Sequence, residues 1–235
     1  MTTPTIRVGI AGIGGRMGRL LEAEVLAAPD MTLSGGIGRD GDIAALAAVS
    51  DVVIDFTHAS TVQRHAAALV AAGTAWVLGT SGLSAEDDAA VRAAAERIPV
   101  VQKANFAPGV ALLLELAERM GAALPAAEWD AEILEMHHRN KVDAPSGTAL
   151  ALGAAVAAGR GVRLEDVRES GRDGQTGARR EGAIGFAALR GGVVVGEHTL
   201  LFAADGEQIS IRHQAFDRQA FARGAVATAR NVVYA

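Results

Sequence analysis

Residues 132–148 concentrate the side chains of this sequence that could perform acid–base chemistry. His137 and His138 form its only adjacent histidine pair, and Lys141 follows them closely. Histidine titrates near neutral pH and lysine is a fixed cation, so this stretch suits an anionic substrate that must be protonated. The turn Ser146-Gly147-Thr148 then opens an Ala-rich helical run. Because the N–H groups of a helix start bind carboxylate or phosphate, the stretch predicts a site for a small anion.

Other interpretations of these residues are structural or metal-binding. The histidines could end a strand and bond the backbone, and Lys141 could be a surface lysine. A metal site would use Glu135, His137, His138 and Asp143. However, adjacent histidines on a strand point to opposite faces, and no cysteine assists them. We therefore expect no metal at this site.

The composition is that of a globular protein with a packed core. Of the 235 residues, 50% are hydrophobic and 21% charged, which is enough for one large domain or two small ones. The net charge of −5 argues against a nucleic-acid partner. Cysteine is absent, which fits a reducing compartment. No stretch approaches the roughly 20 apolar residues of a membrane span, and the run to Ile10 is too short for a signal peptide. We expect an unprocessed, cytoplasmic protein without a membrane partner.

Short apolar strands alternate with helical segments from residue 6 to residue 102. The strand at residues 6–10 leads into a glycine turn whose spacing, Gly12-x-x-Gly15-x-x-Gly18, is a variant of the dinucleotide-binding fingerprint. Such a turn also occurs without a ligand, but here it stands at the start of the alternation. The pattern predicts an α/β Rossmann-type N-terminal domain, with a doubly wound parallel sheet and a ligand beyond the carboxyl ends of its strands.

The end of the second predicted strand bears on the choice of cofactor. Residues 31–37 lead to Gly38-Arg39, where a dinucleotide-binding fold usually places an acidic residue to hold the adenosine ribose. Arg39, together with Arg16 of the glycine turn, can instead meet a 2′-phosphate, which favours NADPH over NADH. The alternative is that Arg39 is a solvated turn residue before Asp40-Gly41.

After Asn105-Phe106 the pattern changes. A long helix at residues 110–124 leads to a strand at residues 129–136, and three more strands follow between residues 184 and 213. Gly191-Gly192 and Asp205-Gly206 join these three strands and are dipeptides typical of hairpins. The pattern predicts an α+β C-terminal domain with a mostly antiparallel sheet.

The remaining segments complete the predicted organisation. Residues 160–182 are polar and lack apolar periodicity, which predicts a long loop. His198 and His213 lie in strand patterns and are expected to be structural. A last amphipathic helix, at residues 218–234, could return to pack on the first domain. We predict a dinucleotide-binding domain at residues 1–106 and 214–235, and a substrate-binding and oligomerisation domain at residues 107–213.

Several motifs together resemble one family. The most specific is the string at residues 135–148, Glu-Met-His-His-Arg-Asn-Lys-Val-Asp-Ala-Pro-Ser-Gly-Thr. The chain is similar, nearly end to end, to the dihydrodipicolinate reductase family, now named 4-hydroxy-tetrahydrodipicolinate reductase, of diaminopimelate and lysine biosynthesis. The other motifs of the resemblance are Gly12-Ile-Gly-Gly-Arg-Met-Gly18, Asp55-Phe56-Thr57, Gly79-Thr80-Ser81-Gly82, Asn105-Phe106 and Arg190-Gly-Gly-Val-Val-Val-Gly-Glu-His198.

The resemblance implies NAD(P)H-dependent reduction of 4-hydroxy-tetrahydrodipicolinate, a cyclic dicarboxylate imine after loss of water, to tetrahydrodipicolinate. It implies that His137 is the proton donor, and that Lys141 assists as a second donor or as a charge anchor. The substrate carboxylates would be held by His138, Lys141, Gly147 and Thr148. The family pattern assigns the cofactor, NADPH or NADH, to Gly12, Ile13, Gly14, Gly15, Arg16, Met17, Arg39, Gly79, Thr80, Ser81, Asn105 and Phe106.

The resemblance also implies a homotetramer assembled through the sheet of the second domain. The chain departs from the family at Gly38, where an acidic residue is expected, and this weighs against equal use of NADH. The region between Asp40 and Asp51 is also short, so the adenosine side is expected to be trimmed. Neither departure touches residues 137–148.

Two other functions stay open at this point. One is a different nicotinamide-dependent dehydrogenase with the same two-domain plan, acting on an amino-acid-like substrate such as aspartate or diaminopimelate. The Ala-Pro-Ser-Gly-Thr turn beside His137-His138 argues against it. The other is a catalytically silent NAD(P)-binding sensor or assembly protein. Loss of the histidine or the lysine would have supported it, but both are present.

Overall fold

The computed structural model describes residues 5–234, which form two compact units. The first unit contains the described residues up to Ala107 and those from Arg218 onward, and the second is Pro108–Asp217. Residues 1–4 and 235 lie outside the described residues. The two ends predicted for the first domain, residues 1 and 235, are among them. The expectation of an unprocessed N-terminus also concerns these residues.

A parallel sheet of five strands forms the centre of the first unit: β1 Ile6–Ala11, β2 Met31–Ile37, β3 Val52–Asp55, β4 Ala75–Leu78 and β5 Val100–Gln102. Their order is β2-β1-β3-β4-β5, and every pair is parallel. The inner strands are apolar and buried on both faces, as a parallel sheet covered by helices requires. This confirms the predicted Rossmann-type domain. In such a sheet a ligand binds where the strand order reverses, beyond the ends of β1 and β3.

Helices cover both faces of this sheet. They are α1 Arg16–Ala27, α2 Ile43–Ala48, α3 Val62–Ala72, α4 Ala85–Ala95 and the C-terminal helix α8 Gln219–Val232. One core lies under α1 and α8 around Ile10 and Ile54, and another under α2, α3 and α4 around Trp76. α1 begins at Arg16, so the end of the glycine turn belongs to its first turn.

The sheet of the second unit differs from the prediction. Its strands are β6 Asp130–His137, β7 Arg168–Ser170, β8 Ile184–Arg190, β9 Gly196–Ala203 and β10 Gln208–Ala215, in the order β10-β9-β6-β8-β7. β6 pairs parallel with β8, and β7 with β8, whereas β6–β9 and β9–β10 are antiparallel. The sheet is mixed, so the prediction of a mostly antiparallel sheet is wrong. Asp205-Gly206 joins a hairpin, but Gly191-Gly192 does not, because β6 lies between β8 and β9.

Three helices complete the second unit: α5 Pro108–Ala123, α6 Gly147–Gly159 and α7 Leu164–Val167. α5 and α6 pack on each other and on one face of the sheet, around Ile133, Leu152 and Leu200. Within residues 5–234, none of the helices is long and apolar enough for a membrane crossing.

The segment predicted as a long loop is partly regular, because it contains α7 and β7. Charged side chains hold it in place. Arg172 donates to both oxygens of Glu132 at 3.0 and 2.9 Å, and Arg179 donates to Glu132 at 2.9 Å. Because these contacts are made by charged side chains, the segment has no apolar periodicity. The sequence therefore did not predict α7 and β7.

Candidate active site

A cleft runs along the carboxyl ends of β1, β3 and β4 in the first unit. It has two lobes, of about 430 and about 400 Å³, which share Gly15, Phe56, Thr57 and His58. Most of the predicted cofactor residues line it. The first lobe adds Gly12, Gly14, Gly38, Arg39 and Thr61, and the second adds Arg16, Met17, Gly79, Thr80, Ser81 and Arg218.

The glycine turn leaves room for a ligand close to the backbone. Gly12 has a φ of +89°, and a Cβ at this position would lie 2.5 Å from the carbonyl oxygen of Phe56, so the turn requires glycine. A Cβ at Gly14 would meet no atom within 4 Å, which shows that this side of the turn is open. α1 starts with Gly15 as its N-cap and without a capping side chain. The turn therefore fits the diphosphate of a dinucleotide, which helix N-termini of this kind hold.

Buried polar contacts fix the cleft wall at the ends of β3 and β4. The N–H of Thr57 donates to Thr80 Oγ1 at 3.1 Å, and the Thr57 hydroxyl donates to Asp55 Oδ1 at 2.6 Å. The other oxygen of Asp55 lies 2.7 Å from His65 Nδ1, and both of these side chains are buried. Sequence reasoning assigned Asp55 and His65 no role. The available signal was an acid at the end of the apolar run Val-Val-Ile-Asp.

Arg39 lies at the β2 end of the cleft, next to Gly38. Arg64 donates to its carbonyl oxygen at 3.2 Å, which brings a second guanidinium to this side.

Three predicted cofactor residues are not among those that line the two lobes. Ile13 packs against the core, and the buried Phe106 ring lies 5.7 Å from the ring of Phe56. Asn105 accepts a hydrogen bond from the N–H of Ala107 at 2.9 Å. Contacts of these residues with a cofactor stay a prediction.

In the second unit, His137 ends β6 and is held by a buried carboxylate. Its Nδ1 lies 2.6 Å from Glu135 Oε2. Arg190 donates to both oxygens of Glu135, at 2.8 Å each, and the N–H of Ser146 donates to Oε1 at 3.1 Å. Only 1% of Glu135 is exposed. A buried carboxylate bonded on both oxygens fixes the orientation of the imidazole.

The parallel pairing of β6 and β8 brings Arg190 to this place. Parallel neighbours end at the same edge of a sheet, and in this register His137 stands opposite Arg190. From the sequence, Glu135 was considered as a ligand of the rejected metal site and Arg190 only as part of a family motif, and neither was predicted to act in the reaction. Glu135 was detectable, because residues two apart on a strand share a face. Arg190 was not, because the predicted hairpin paired β8 with β9.

The charges of this cluster shift the pKa of its members. Burial alone would raise the pKa of Glu135, but the hydrogen bonds from Arg190 and His137 outweigh it and lower the pKa below the usual value. Burial lowers the pKa of His137, the contact with Glu135 raises it in part, and the charges of Lys141 and Arg190 lower it further. Glu135 is therefore ionised at neutral pH and accepts the Nδ1 proton of His137.

Lys141 lies in the loop after β6 and is already paired. Its Nζ lies 2.8 Å from each carboxylate oxygen of Asp143. The carbonyl oxygen of Asp143 accepts from Arg190 at 2.7 Å, so the same arginine ties this loop to Glu135. From the sequence, Asp143 was considered only as a ligand of the rejected metal site. His138, next to His137, is half-buried.

Ser146 joins the start of α6 to the same cluster. Its hydroxyl accepts from the N–H of Ala149 at 3.2 Å and lies 2.9 Å from His198 Nε2. Burial, with the charge of His137 next, lowers the pKa of His198 to about 3, so this ring is neutral. It packs edge-on against His137, with centroids 5.1 Å apart. Gly147 and the buried Thr148 are the first residues of α6, so their backbone N–H groups lie in the turn where helices bind anions.

The structure thus brings His137, Lys141 and the start of α6 together, through Glu135, Asp143 and Arg190. In residues 5–234, no group of three or more His, Asp or Glu residues is arranged to hold a metal ion.

A parallel sheet with a glycine turn and a cleft at its strand ends, combined with a buried acid–base cluster in a second unit, defines a nicotinamide-dependent oxidoreductase. Comparison with known proteins is more specific. The family model described as dihydrodipicolinate reductase, N-terminus, matches residues 6–106, and the one described as dihydrodipicolinate reductase, C-terminus, matches residues 109–235. The chain belongs to the dihydrodipicolinate reductase family.

Individual relatives agree with this assignment. A 4-hydroxy-tetrahydrodipicolinate reductase of Acidiphilium cryptum is 63% identical over 229 residues, covering 97% of this chain and 92% of that protein. That of Sinorhizobium medicae is 46% identical over 252 residues, covering 97% and 93%. A solved structure, a dipicolinate-bound dihydrodipicolinate reductase from Paenisporosarcina sp. TG-14, has a TM-score of 0.71 and 26% identity, covering 97% of this chain and 94% of that one. The predicted family is confirmed.

Proposed function

We propose that this oxidoreductase reduces 4-hydroxy-tetrahydrodipicolinate to tetrahydrodipicolinate, a step of diaminopimelate and lysine biosynthesis, with NADPH or NADH. The first unit binds the dinucleotide and the second binds the dicarboxylate. Family membership supports the reaction. The observation that carries the residue roles is the His137 imidazole, bonded through Nδ1 to the buried Glu135 carboxylate at 2.6 Å. When bound, the cofactor supplies a hydride, and the chain supplies orientation, charge and a proton.

His137 delivers that proton from Nε2. Because the ionised Glu135 holds the proton on Nδ1, the second proton of the imidazolium is on Nε2 and is the one that leaves. A Cβ at Gly196 would lie only 3.1 Å from Nε2, so the absence of a side chain there leaves this atom approachable. After transfer, His137 is neutral, its remaining proton stays on Nδ1 and is hydrogen-bonded to Glu135, and solvent restores the proton on Nε2.

The substrate itself helps to charge His137. In the protein alone, burial and the cations Lys141 and Arg190 hold its pKa below the ordinary value. Two substrate carboxylates near Lys141 oppose those cations and raise the pKa again. His137 therefore takes up a proton as the dianion binds, so substrate binding produces the protonated form that the reaction requires.

Lys141, His138 and the start of α6 bind the carboxylates. Lys141 exchanges part of its contact with Asp143 for a substrate carboxylate, and its side chain is 20% exposed, which leaves it accessible. Gly147 and Thr148 add backbone N–H groups at the positive end of a helix of 13 residues.

Arg39 makes NADPH the tighter-binding cofactor. It lines the cleft beside Gly38, at the position where an acidic residue would have held the ribose hydroxyls. A guanidinium pairs with a 2′-phosphate through charge-assisted hydrogen bonds. NADH lacks this phosphate and gains nothing from Arg39.

The enzyme assembles as a homotetramer through the sheet of the second unit. α5 and α6 cover one face of that sheet. The opposite face presents apolar side chains, among them Leu134 and Leu189, which are 43% and 49% exposed. Burying such a face against a second copy is favourable. Size-exclusion chromatography with light scattering tests this, and Leu134→Lys should reduce the measured mass; a monomeric wild type would refute the tetramer.

A coupled assay tests the reaction. The substrate is generated in place by the synthase that forms it, and oxidation of NADPH is followed by absorbance. We expect absorbance loss only when synthase, its substrates and this enzyme are all present. Reduction of NADP+ by aspartate or diaminopimelate, seen as a gain of absorbance, would favour one of the other dehydrogenases. Cofactor binding without turnover would favour a silent sensor.

A further inference from the structure

His198 is a buried imidazole beside the groups that the proposed reaction requires. It lies in β9, where its Cα pairs with that of Glu135 in β6, and only 2% of it is exposed. Paired residues of neighbouring strands share a face of the sheet, so the ring of His198 lies on the same side as the Glu135 carboxylate. There the ring contacts both His137 and Ser146.

The contact with Ser146 reaches a residue that joins two parts of the site. Nε2 of His198 lies 2.9 Å from Ser146 Oγ. The N–H of Ser146 donates to Glu135 Oε1 at 3.1 Å, and the Ser146 hydroxyl caps α6 by accepting from the N–H of Ala149. His198 therefore holds the residue that stands between the Glu135 carboxylate and the first N–H groups of α6.

The contact with His137 is between two rings. Their centroids are 5.1 Å apart and their planes are inclined by 72°, close to the edge-to-face arrangement that aromatic rings favour. Burial lowers the pKa of His198 to about 3, so this neutral ring adds no positive charge beside the imidazolium of His137. With Glu135 bonded to Nδ1 and His198 packed against the ring, the imidazole of His137 has little freedom to rotate.

An imidazole at this buried position has a cost that packing alone does not explain. Nδ1 of His198 is buried and has no hydrogen-bond partner within residues 5–234. A buried polar atom without a partner is unfavourable in comparison with an apolar side chain of the same shape. The hydrogen bond that His198 does form, with Ser146, belongs to the site. Residues that depart from good core packing in this way occur at functional sites.

We propose that His198 is a positioning residue of the reduction. It keeps Ser146 and the His137 imidazole in one arrangement, so that the proton donor and the N–H groups that bind a substrate carboxylate stay at a fixed distance from each other. This inference rests on the proposed function, and it replaces the expectation that His198 is only structural. His198 itself gives no proton to the substrate, because its ring is buried and neutral.

Two substitutions separate the two contacts of His198. His198→Phe keeps a ring beside His137 but removes the hydrogen bond to Ser146. The KM of the substrate and the dissociation constant of a planar pyridine dicarboxylate should each rise about tenfold, as expected for one buried hydrogen bond, and kcat should change less. Steady-state kinetics measure KM and kcat, and calorimetric titration measures the dissociation constant.

His198→Gln has the reverse design. It keeps a polar group near the place of Nε2 but removes the ring that packs on His137. The affinity for the pyridine dicarboxylate should return most of the way to that of the wild type, whereas kcat should fall about tenfold, because the proton donor is less well oriented. A purely structural histidine would not give opposite effects in these two variants.

His213→Phe is the matched control. His213 pairs with His198 across β9 and β10, and its Nδ1 is also buried without a hydrogen-bond partner in the described part of the chain. The contacts described for residues 5–234 include no hydrogen bond from His213 to Ser146 and no ring contact with His137. We expect unchanged kcat, KM and dicarboxylate affinity. The dissociation constant of NADPH should be unchanged in all three variants, and thermal unfolding is measured for each.

A double substitution tests whether His198 acts through Ser146. Ser146→Ala removes the same hydrogen bond from its other end, so adding His198→Phe to Ser146→Ala should weaken dicarboxylate binding no further. If His198→Phe does not fold, His198→Leu replaces it. Leucine and glutamine both lack the ring, so their difference in dicarboxylate affinity isolates the hydrogen bond.

Four results would overturn the inference. They are wild-type kinetics and affinity in both His198 variants, equal changes in His213→Phe, additive losses in the double variant, and a kcat that falls only with the fraction of folded protein while KM stays constant. A wild type without turnover in the coupled assay would refute the proposed function as well. Normal turnover of the wild type beside unaffected His198 variants would refute this inference alone.

Discussion

The two units handle charge in opposite ways. Around His137, in the second unit, charges are already paired: Arg190 bonds both oxygens of Glu135, and Lys141 bonds both oxygens of Asp143. In the cleft of the first unit, Arg16 and Arg218 take part in none of the ion pairs formed among residues 5–234, and the glycine turn offers backbone N–H groups.

The roles that we propose for the two sites account for this difference. A proton transfer needs one atom held at one place, and paired charges provide a cluster that is already organised before the substrate arrives. A cofactor that binds and leaves at every turnover brings its own negative charge, and unpaired cations are ready for it. Substitutions in the second unit should therefore change turnover and its pH dependence, and those in the first unit should change affinity.

His137→Gln should break the second unit's function most severely. We expect turnover to fall by about a hundredfold or more, because the proton donor is lost, while the dissociation constant of NADPH stays the same. His138→Gln is the neighbouring comparison and should mainly raise KM. Steady-state kinetics with a parallel NADPH titration measure both, and near-normal turnover of His137→Gln would remove it from the reaction.

Glu135→Gln should shift the pH profile. A general acid is active when protonated, so kcat/KM falls as pH rises through the His137 pKa of the free enzyme, which lies below the ordinary value. The charge of Glu135 raises that pKa, so removing it should move this limb to lower pH and reduce kcat/KM at pH 7 by roughly tenfold, about one pKa unit. An unmoved limb would show that Glu135 does not govern the proton.

For the wild type, the kcat profile should lie at higher pH than the kcat/KM profile. The first reports the enzyme with bound dianion, whose carboxylates raise the pKa of His137, and the second reports the free enzyme. Rates across a pH series, measured at saturating and at low substrate, give both profiles. Coincident limbs would contradict proton uptake on binding.

In the first unit, Arg39→Ala should separate the preference for NADPH from the affinity for both cofactors. NADPH should bind roughly tenfold more weakly, because one charge-assisted pair with the 2′-phosphate is lost, and NADH should bind as before. Fluorescence titration with each cofactor measures this. Equal weakening of both would mean that Arg39 contacts a group the two cofactors share.

Of these substitutions, Asp143→Asn should have the smallest effect, and it should strengthen ligand binding instead of weakening it. Without its pair, Lys141 is free for the ligand, and a planar pyridine dicarboxylate should inhibit a few-fold more strongly, as expected for a partly exposed ion pair worth about 1 kcal/mol or less. Lys141→Ala should weaken the same inhibition. Inhibition constants that neither substitution changes would exclude Lys141 from the substrate site.

The sequence could predict those features that lie within one short segment of the chain. The glycine turn, the alternation that builds the parallel sheet and the segment from His137 to Thr148 each lie within a short stretch whose pattern reports its own structure. Contacts between distant segments leave no such pattern. Arg190 reaches Glu135 because β8 pairs parallel with β6, and Arg218 reaches the cleft because the last helix returns to the first unit. A turn dipeptide such as Gly191-Gly192 indicates that the chain can reverse its direction. It does not indicate which strand pairs with β8.

The central position of β6 also decides when the site can exist during folding. Glu135 and Arg190 are 55 residues apart in the chain, and Ser146 and His198 are 52 apart. Loops of this length lose entropy on closing before their contacts form, so such pairings are slow. As the chain emerges during synthesis, a nascent protein ending after α6 already carries His137 and Lys141 but lacks Arg190 and His198. It possesses both residues that we propose as catalytic, but it cannot yet hold the carboxylate of Glu135 in place.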